Sequence, residues 1–242
     1  MNDTRRINTN IGAMMLIGIS TAAYASVTNH AWHGYFGLAV LTLAVASSGM
    51  KVKLPGINGN MSVNLPFLLT SVVNLSSAEA VCITCASTLV QCWPRKNSKF
   101  NPQQMAFNLG MMVFATSAAS LIFHATAHSV ALWHSATLGL VLATAGLFLG
   151  QTAPVAAIVA ATEKKSALQV WLNLAQLSFP YYVVGVGVTS LVEAMTSHLG
   201  WGLALGVFPV MYAIHRSYRV YFGAMLETMR PPGLARGASA GA

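Results

Sequence analysis

Apolar stretches of about twenty residues, separated by short links that carry lysine or arginine, constrain this chain more than any other feature. Crossing a bilayer takes about 20 predominantly apolar residues in a helix, and runs at 11–28, 34–50, 102–124, 129–161, 166–197 and 201–222 approach or exceed that length. Charged residues are 7% of the chain and apolar ones 55%, against roughly 25% charged in soluble domains. The reading is an all-α integral membrane protein, a polytopic bundle of six to eight transmembrane segments with two broken helices and an internal repeat. Three regions follow: a cytoplasmic head over 1–10, the membrane domain over 11–228, and a flexible tail over 229–242.

Basic residues orient such a chain, because cytoplasmic links retain them. Arg5/Arg6, Lys51/Lys53, Arg95/Lys96/Lys99, Lys164/Lys165 and Arg216/Arg219 group best on one side, with both termini cytoplasmic in a bacterial inner membrane. That grouping requires 63–93 to enter and return while 166–197 crosses once. The +8 net charge comes from these sparse links, so a nucleic-acid surface is not expected. Residues 11–28 resemble a secretory signal with Ala23-Tyr24-Ala25 as its cleavage site. An uncleaved first helix is the preferred reading, since a second apolar span follows at once.

Lys51 to Ala80 holds the most informative pattern. Asn58-Gly59 is a hairpin signal, with an extended loop lying at the interface as the alternative; Pro66 opens an apolar run, and Ser76-x-x-Glu79 is a capping box that starts a fresh helix. Segments 63–75 and 78–93 are each short for a crossing. Lys51, Pro66, Ser76, Glu79 and Ala80 recur at one constant offset as Lys165, Pro180, Ser190, Glu193 and Ala194. Breaks are therefore expected at Pro66/Ser76 and at Pro180/Ser190, and Gly150 with Pro154 is expected to bend or break the 129–161 run.

Glu79 and Glu193, with Ser76 and Ser190, are the candidate ligand-binding residues. A carboxylate within apolar sequence is costly to bury and usually lines a cavity or meets a partner. The competing reading is that each glutamate caps a helix start together with the serine three residues before it. His124 and His128 share a helix face at metal-ligand spacing; protonation sensing and plain interfacial placement are alternatives. Cys82, Cys85 and Cys92 read as small buried apolar residues. Trp32, Trp93, Trp133 and Trp201 read as interfacial anchors. No phosphate loop, nucleophile elbow or metalloprotease motif is present in the sequence, so an enzyme is not expected, and the residues name no cofactor.

The run KVKLPGINGNMSVNLPFLLTSVVNLSSAEAV, the following LVQCWPR, and the closing FPVMYAIHRSYRVYFGAMLE resemble a membrane-associated sensor domain (MASE-type). Bacterial signalling proteins carry such domains ahead of HD-GYP or GGDEF output modules. The resemblance implies that Arg216, Tyr218, Arg219 and Tyr221 belong to a signal-output helix. This sequence departs from the pattern after Arg230, where Pro231-Pro232 stops a helix and GLARGASAGA follows. It contains no HD pair and no GGDEF signature, so cyclic-dinucleotide chemistry is not carried over. The expectation is a signal-input domain acting on a cytoplasmic signalling protein, with the bilayer and a second copy in a homodimer as further partners. The alternative is a small-solute transporter or substrate-binding membrane subunit, since transporters also use paired discontinuous helices.

Overall fold

Apolar composition and the spacing of turn residues dictate a bundle of helices, and a computed structural model gives its arrangement. It describes residues 2–28, 31–53, 60–94, 100–129 and 135–199, with 209, 210, 212, 213, 216, 217, 219, 220 and 223. The elements run α1 (Asn2–Thr28), α2 (Tyr35–Ser48), β1 (Lys51–Lys53), β2 (Asn60–Ser62), α3 (Leu65–Asn74), α4 (Ser77–Cys92), α5 (Pro102–Ser129), α6 (Ser135–Glu163) and α7 (Ala167–Leu199). Four helices are long and apolar enough to cross a membrane: α1, α5, α6 and α7. The protein is membrane-embedded, with α2, α3 and α4 as shorter apolar helices.

α1 packs along α5, and glycine decides how closely. A Cβ on Gly18 would lie 2.5 Å from the Gly110 carbonyl oxygen, and one on Gly110 would lie 3.0 Å from Met15 Cα. Backbones that approach this far need small residues at the crossing, the usual device of helix pairs in lipid. The polar end of α1 meets the start of α5, where Gln103 Nε2 donates to Asn8 Oδ1 at 3.3 Å. The two helices therefore run in the same sense. α6 returns along α5, with Gly150 close on Ala115 and Gly139 on Phe123.

The β1–β2 ribbon is antiparallel, Lys51 opposite Ser62 and Lys53 opposite Asn60. It flanks the Asn58-Gly59 hairpin signal, which lies outside the described residues. From this ribbon α3 leads inward and α4 leads back, since Trp93, after the end of α4, lines a groove together with Gly49 and Lys51. The turnaround is two residues long. Leu75 (φ −115°, ψ 166°) and Ser76 (φ −65°, ψ 156°) are extended, which ends α3 and lets α4 start in a new direction.

Two expected breaks are absent. α7 is one helix through Pro180 and Ser190, and α6 is one helix through Gly150 and Pro154. A proline removes one N–H from the ladder and crowds the preceding turn. In α7, burial of Leu174 and Ser178 before Pro180 and of Tyr181, Tyr182, Thr189 and Val192 after it holds the same helix on both sides of the proline. Thr189 occupies the place that matches Leu75, and its hydroxyl donates to the Gly185 carbonyl at 2.9 Å. It is helical where Leu75 is extended, so Ser190 caps nothing.

Candidate functional site

The α3–α4 turnaround gathers the polar groups that sequence singled out, together with partners it did not. Ser76 and Glu79 form the full capping box: the Glu79 N–H donates to Ser76 Oγ at 3.3 Å, and the Ser76 N–H donates to Glu79 Oε2 at 3.1 Å. The Ser76 hydroxyl also donates to Oε2 at 3.1 Å. Local geometry thus accounts for part of the carboxylate's hydrogen bonding, as the capping reading required.

The remainder comes from far along the chain. The His33 backbone N–H donates to Glu79 Oε1 at 2.8 Å, and His33 Nδ1 lies 2.6 Å from Oε2. Both carboxylate oxygens are therefore taken by the link between α1 and α2. Gly37 in the first turn of α2 makes room, since a Cβ there would stand 3.0 Å from Oε1. Glu79 is at the end of α4 away from the ribbon, level with the link where α1 ends and α2 begins. The Glu79 side chain is 4% exposed and that of His33 is 40% exposed.

Glu193 reaches the same turnaround from α7. Asn74, the last residue of α3, donates through Nδ2 to Glu193 Oε1 and, at 3.3 Å, to the Thr70 carbonyl. At the other end of α3 the Leu65 N–H donates to Tyr181 Oη at 2.9 Å. Between them Thr189 Oγ, whose proton goes to Gly185, lies 3.4 Å from the Pro66 carbonyl. α7 thus runs beside α3 in the same sense, and its Tyr181 meets a backbone N–H that the start of a helix leaves unpaired. Ser190 is exposed in mid-helix and is not brought to the site. Glu79 and Glu193 meet opposite sides of the Leu75–Ser76 break; the described cavities are lined by other residues.

Buried hydroxyls hold α4 against α5: Ser77 with Ser120 at 2.8 Å and Thr84 with Thr116 at 3.0 Å. Such pairs satisfy polar groups that lipid cannot. The sequence reading passed over them, and over Tyr181 and Asn74. A four- and seven-residue spacing of Ser77, Thr84 and Thr88 along α4 was the available signal.

Among the described residues no group of three or more His, Cys, Asp or Glu side chains could hold a metal ion. His124 packs edge-on against Phe123; the side chain of His128 lies outside the described residues. Cys82, Cys85 and Cys92 are free thiols, and Cys92 Sγ accepts a hydrogen bond from Asn108 Nδ2 at 3.4 Å. Arg216 and Arg219 line one cavity of about 440 Å³ with Tyr212 and Val220. Tyr218 and Tyr221 lie outside the described residues. No family model, curated protein or solved structure matches this chain.

Proposed function

We propose that the protein is a membrane-embedded signal-input domain in which the α3–α4 turnaround responds and His33 is the group through which it is addressed. The observation that carries this reading is the unequal exposure of the His33–Glu79 pair, 40% against 4%. A buried carboxylate that organises two helices is joined to the surface by one imidazole. Protonation of an imidazole strengthens its bond to a carboxylate, whereas a small metal cation that takes the imidazole leaves Glu79 to its remaining donors.

A sensor needs two states whose balance the signal shifts. With the pair formed, the α1–α2 link is held to the first turn of α4. With the pair broken, Glu79 still accepts from Ser76 N–H and Oγ, so the buried carboxylate keeps donors in both states. A gap of a few kcal/mol between them is what such partial satisfaction allows. α2 and the last helix complete the six to eight crossings, and α3–α4 enters and returns. The basic links then lie on the cytoplasmic side of a bacterial inner membrane. His33 thereby faces outward, and the helix carrying Arg216 and Arg219 passes the change to a cytoplasmic signalling protein, with the domain working as a homodimer. The sequence resemblance to MASE-type domains favours the same assignment.

Amide hydrogen exchange over residues 74–82, corrected for intrinsic rate, tests this reading in protein reconstituted into vesicles. An imidazolium binds a carboxylate more strongly than neutral imidazole does, and imidazole changes charge between pH 5 and 8. Protection is expected to be greater at pH 5.5 than at pH 8, with the difference lost in His33→Ala. A pH-independent pattern in the wild-type protein, also unaltered by divalent cations, counts against sensing here. Solute uptake by the vesicles, abolished in Glu79→Gln or Glu193→Gln, would replace the reading with transport.

A further inference from the structure

At the opposite end of the bundle from Glu79, α2 and α4 both stop and the chain turns into the lysine-bearing ribbon. Gly49, Lys51, Ala86, Leu89, Val90 and Trp93 border an open groove of about 570 Å³ there, a size usual for ligand clefts. Its floor is apolar. Leu89 and Val90 are exposed along it, and Trp93 is 69% exposed. Lys51 supplies the charge among these bordering residues.

The level of this groove in the membrane follows from the backbone. Non-helical chain and strand ends cannot sit in hydrocarbon with their peptide groups unpaired, so Gly49, the ribbon and Pro94 mark the membrane–water boundary. Tryptophan prefers that boundary, and a lysine stem reaches from it toward the headgroups. A groove with an apolar floor directed into the bilayer and a cation at its aqueous end is complementary to one class of molecule. We infer that it holds one anionic phospholipid, with an acyl chain along Ala86, Leu89 and Val90 and the phosphate at Lys51. Lys53 on the same strand adds positive charge to the ribbon, and Arg95 and Lys96 follow Pro94 directly in sequence. Basic sites between helices at a membrane surface are where acidic headgroups are retained.

This inference is independent of the His33–Glu79 assignment and is tested separately. The full chain is reconstituted in phosphatidylcholine vesicles carrying chain-brominated phosphatidylglycerol or, at the same mole fraction, chain-brominated phosphatidylcholine. Tryptophan quenching is read in the wild type and in Trp93→Phe, and their difference isolates Trp93 among the five tryptophans. The expected result is a preference for the acidic lipid of about fivefold, the size of one lysine–lipid contact. The preference should decline at high salt and fall to parity in Lys51→Gln. Circular dichroism matched to the wild type confirms that this variant is folded; if it is not, loss of the preference by salt alone serves in its place. Equal quenching by both lipids would show ordinary boundary lipid and overturn the inference. So would a preference that survives both salt and Lys51→Gln. Absence of any Trp93-dependent quenching would mean that protein, such as a second copy, covers the groove.

Discussion

At Leu75 the backbone leaves the helix for two residues; at Thr189, the matching place in α7, it does not. Both places follow a proline and precede a serine and a glutamate at the same intervals. What differs is the residue at the break and the neighbours around it. At Leu75, Asn74 ends α3 by bonding outward to Glu193, and Ser76 with Glu79 caps a new helix. Thr189 bonds back to Gly185 and stays helical. Glu79 then stands in the first turn of a helix, where a carboxylate favours the positive end of the dipole. Glu193 stands in mid-helix and serves another element. Matching residues therefore do matching chemistry only where the backbone around them matches.

Removing the carboxylates one at a time separates the two regions most sharply. Glu79→Ala leaves His33 and both Ser76 donors without their acceptor, and a loss of about 3 kcal/mol is expected, the upper value for hydrogen bonding to a charged group. Glu193→Ala, which removes the acceptor of Asn74, is expected to cost less, about 1.5 kcal/mol. Both are read as shifts in SDS-induced unfolding of the purified protein; equal losses would erase the distinction between cap and tie.

The prolines should respond with opposite sign. Pro180→Ala restores an N–H to the Gln176 carbonyl inside α7 and is expected to stabilise by about 1.5 kcal/mol. Pro66→Ala, at the start of α3 where no helical bond is missing, is expected to destabilise by about 0.5 kcal/mol through the unfolded chain. The serines give the next contrast in size. Ser76→Ala is expected to cost about 1 kcal/mol as a lost cap, whereas Ser190→Ala should change stability by less than about 0.5 kcal/mol. Thermal unfolding in mild detergent resolves that difference. A comparable loss at Ser190 would mean that α7 does have a helix start there.

How much of this was legible in sequence depended on range. The apolar runs and the Ser76–Glu79 box are local patterns, set by neighbours within a few residues, and each could be read directly. The break at Leu75 was readable for the same reason. Continuity of α7 was not, because it is decided by burial of Leu174 and Ser178 before Pro180 and of Tyr181, Thr189 and Val192 after it, which outweighs a single missing N–H at Pro180. The His33–Glu79 and Asn74–Glu193 pairs join distant parts of the chain, and no spacing rule connects them. Treating Ser190 and Glu193 as a second capping box extended a local rule to a place where tertiary packing had already fixed the helix.

The Gly18–Gly110 crossing also sets an order of events during biosynthesis. Its two halves are separated by α2, the ribbon and the α3–α4 pair, so the first helix enters the bilayer well before its mate has been made. A bulky side chain at Gly18 leaves that entry untouched, since a more hydrophobic segment inserts at least as readily. It blocks the late zippering of α1 onto α5 instead. The defective product is then threaded correctly yet unassembled, and quality-control proteases rather than the insertion machinery would discard it.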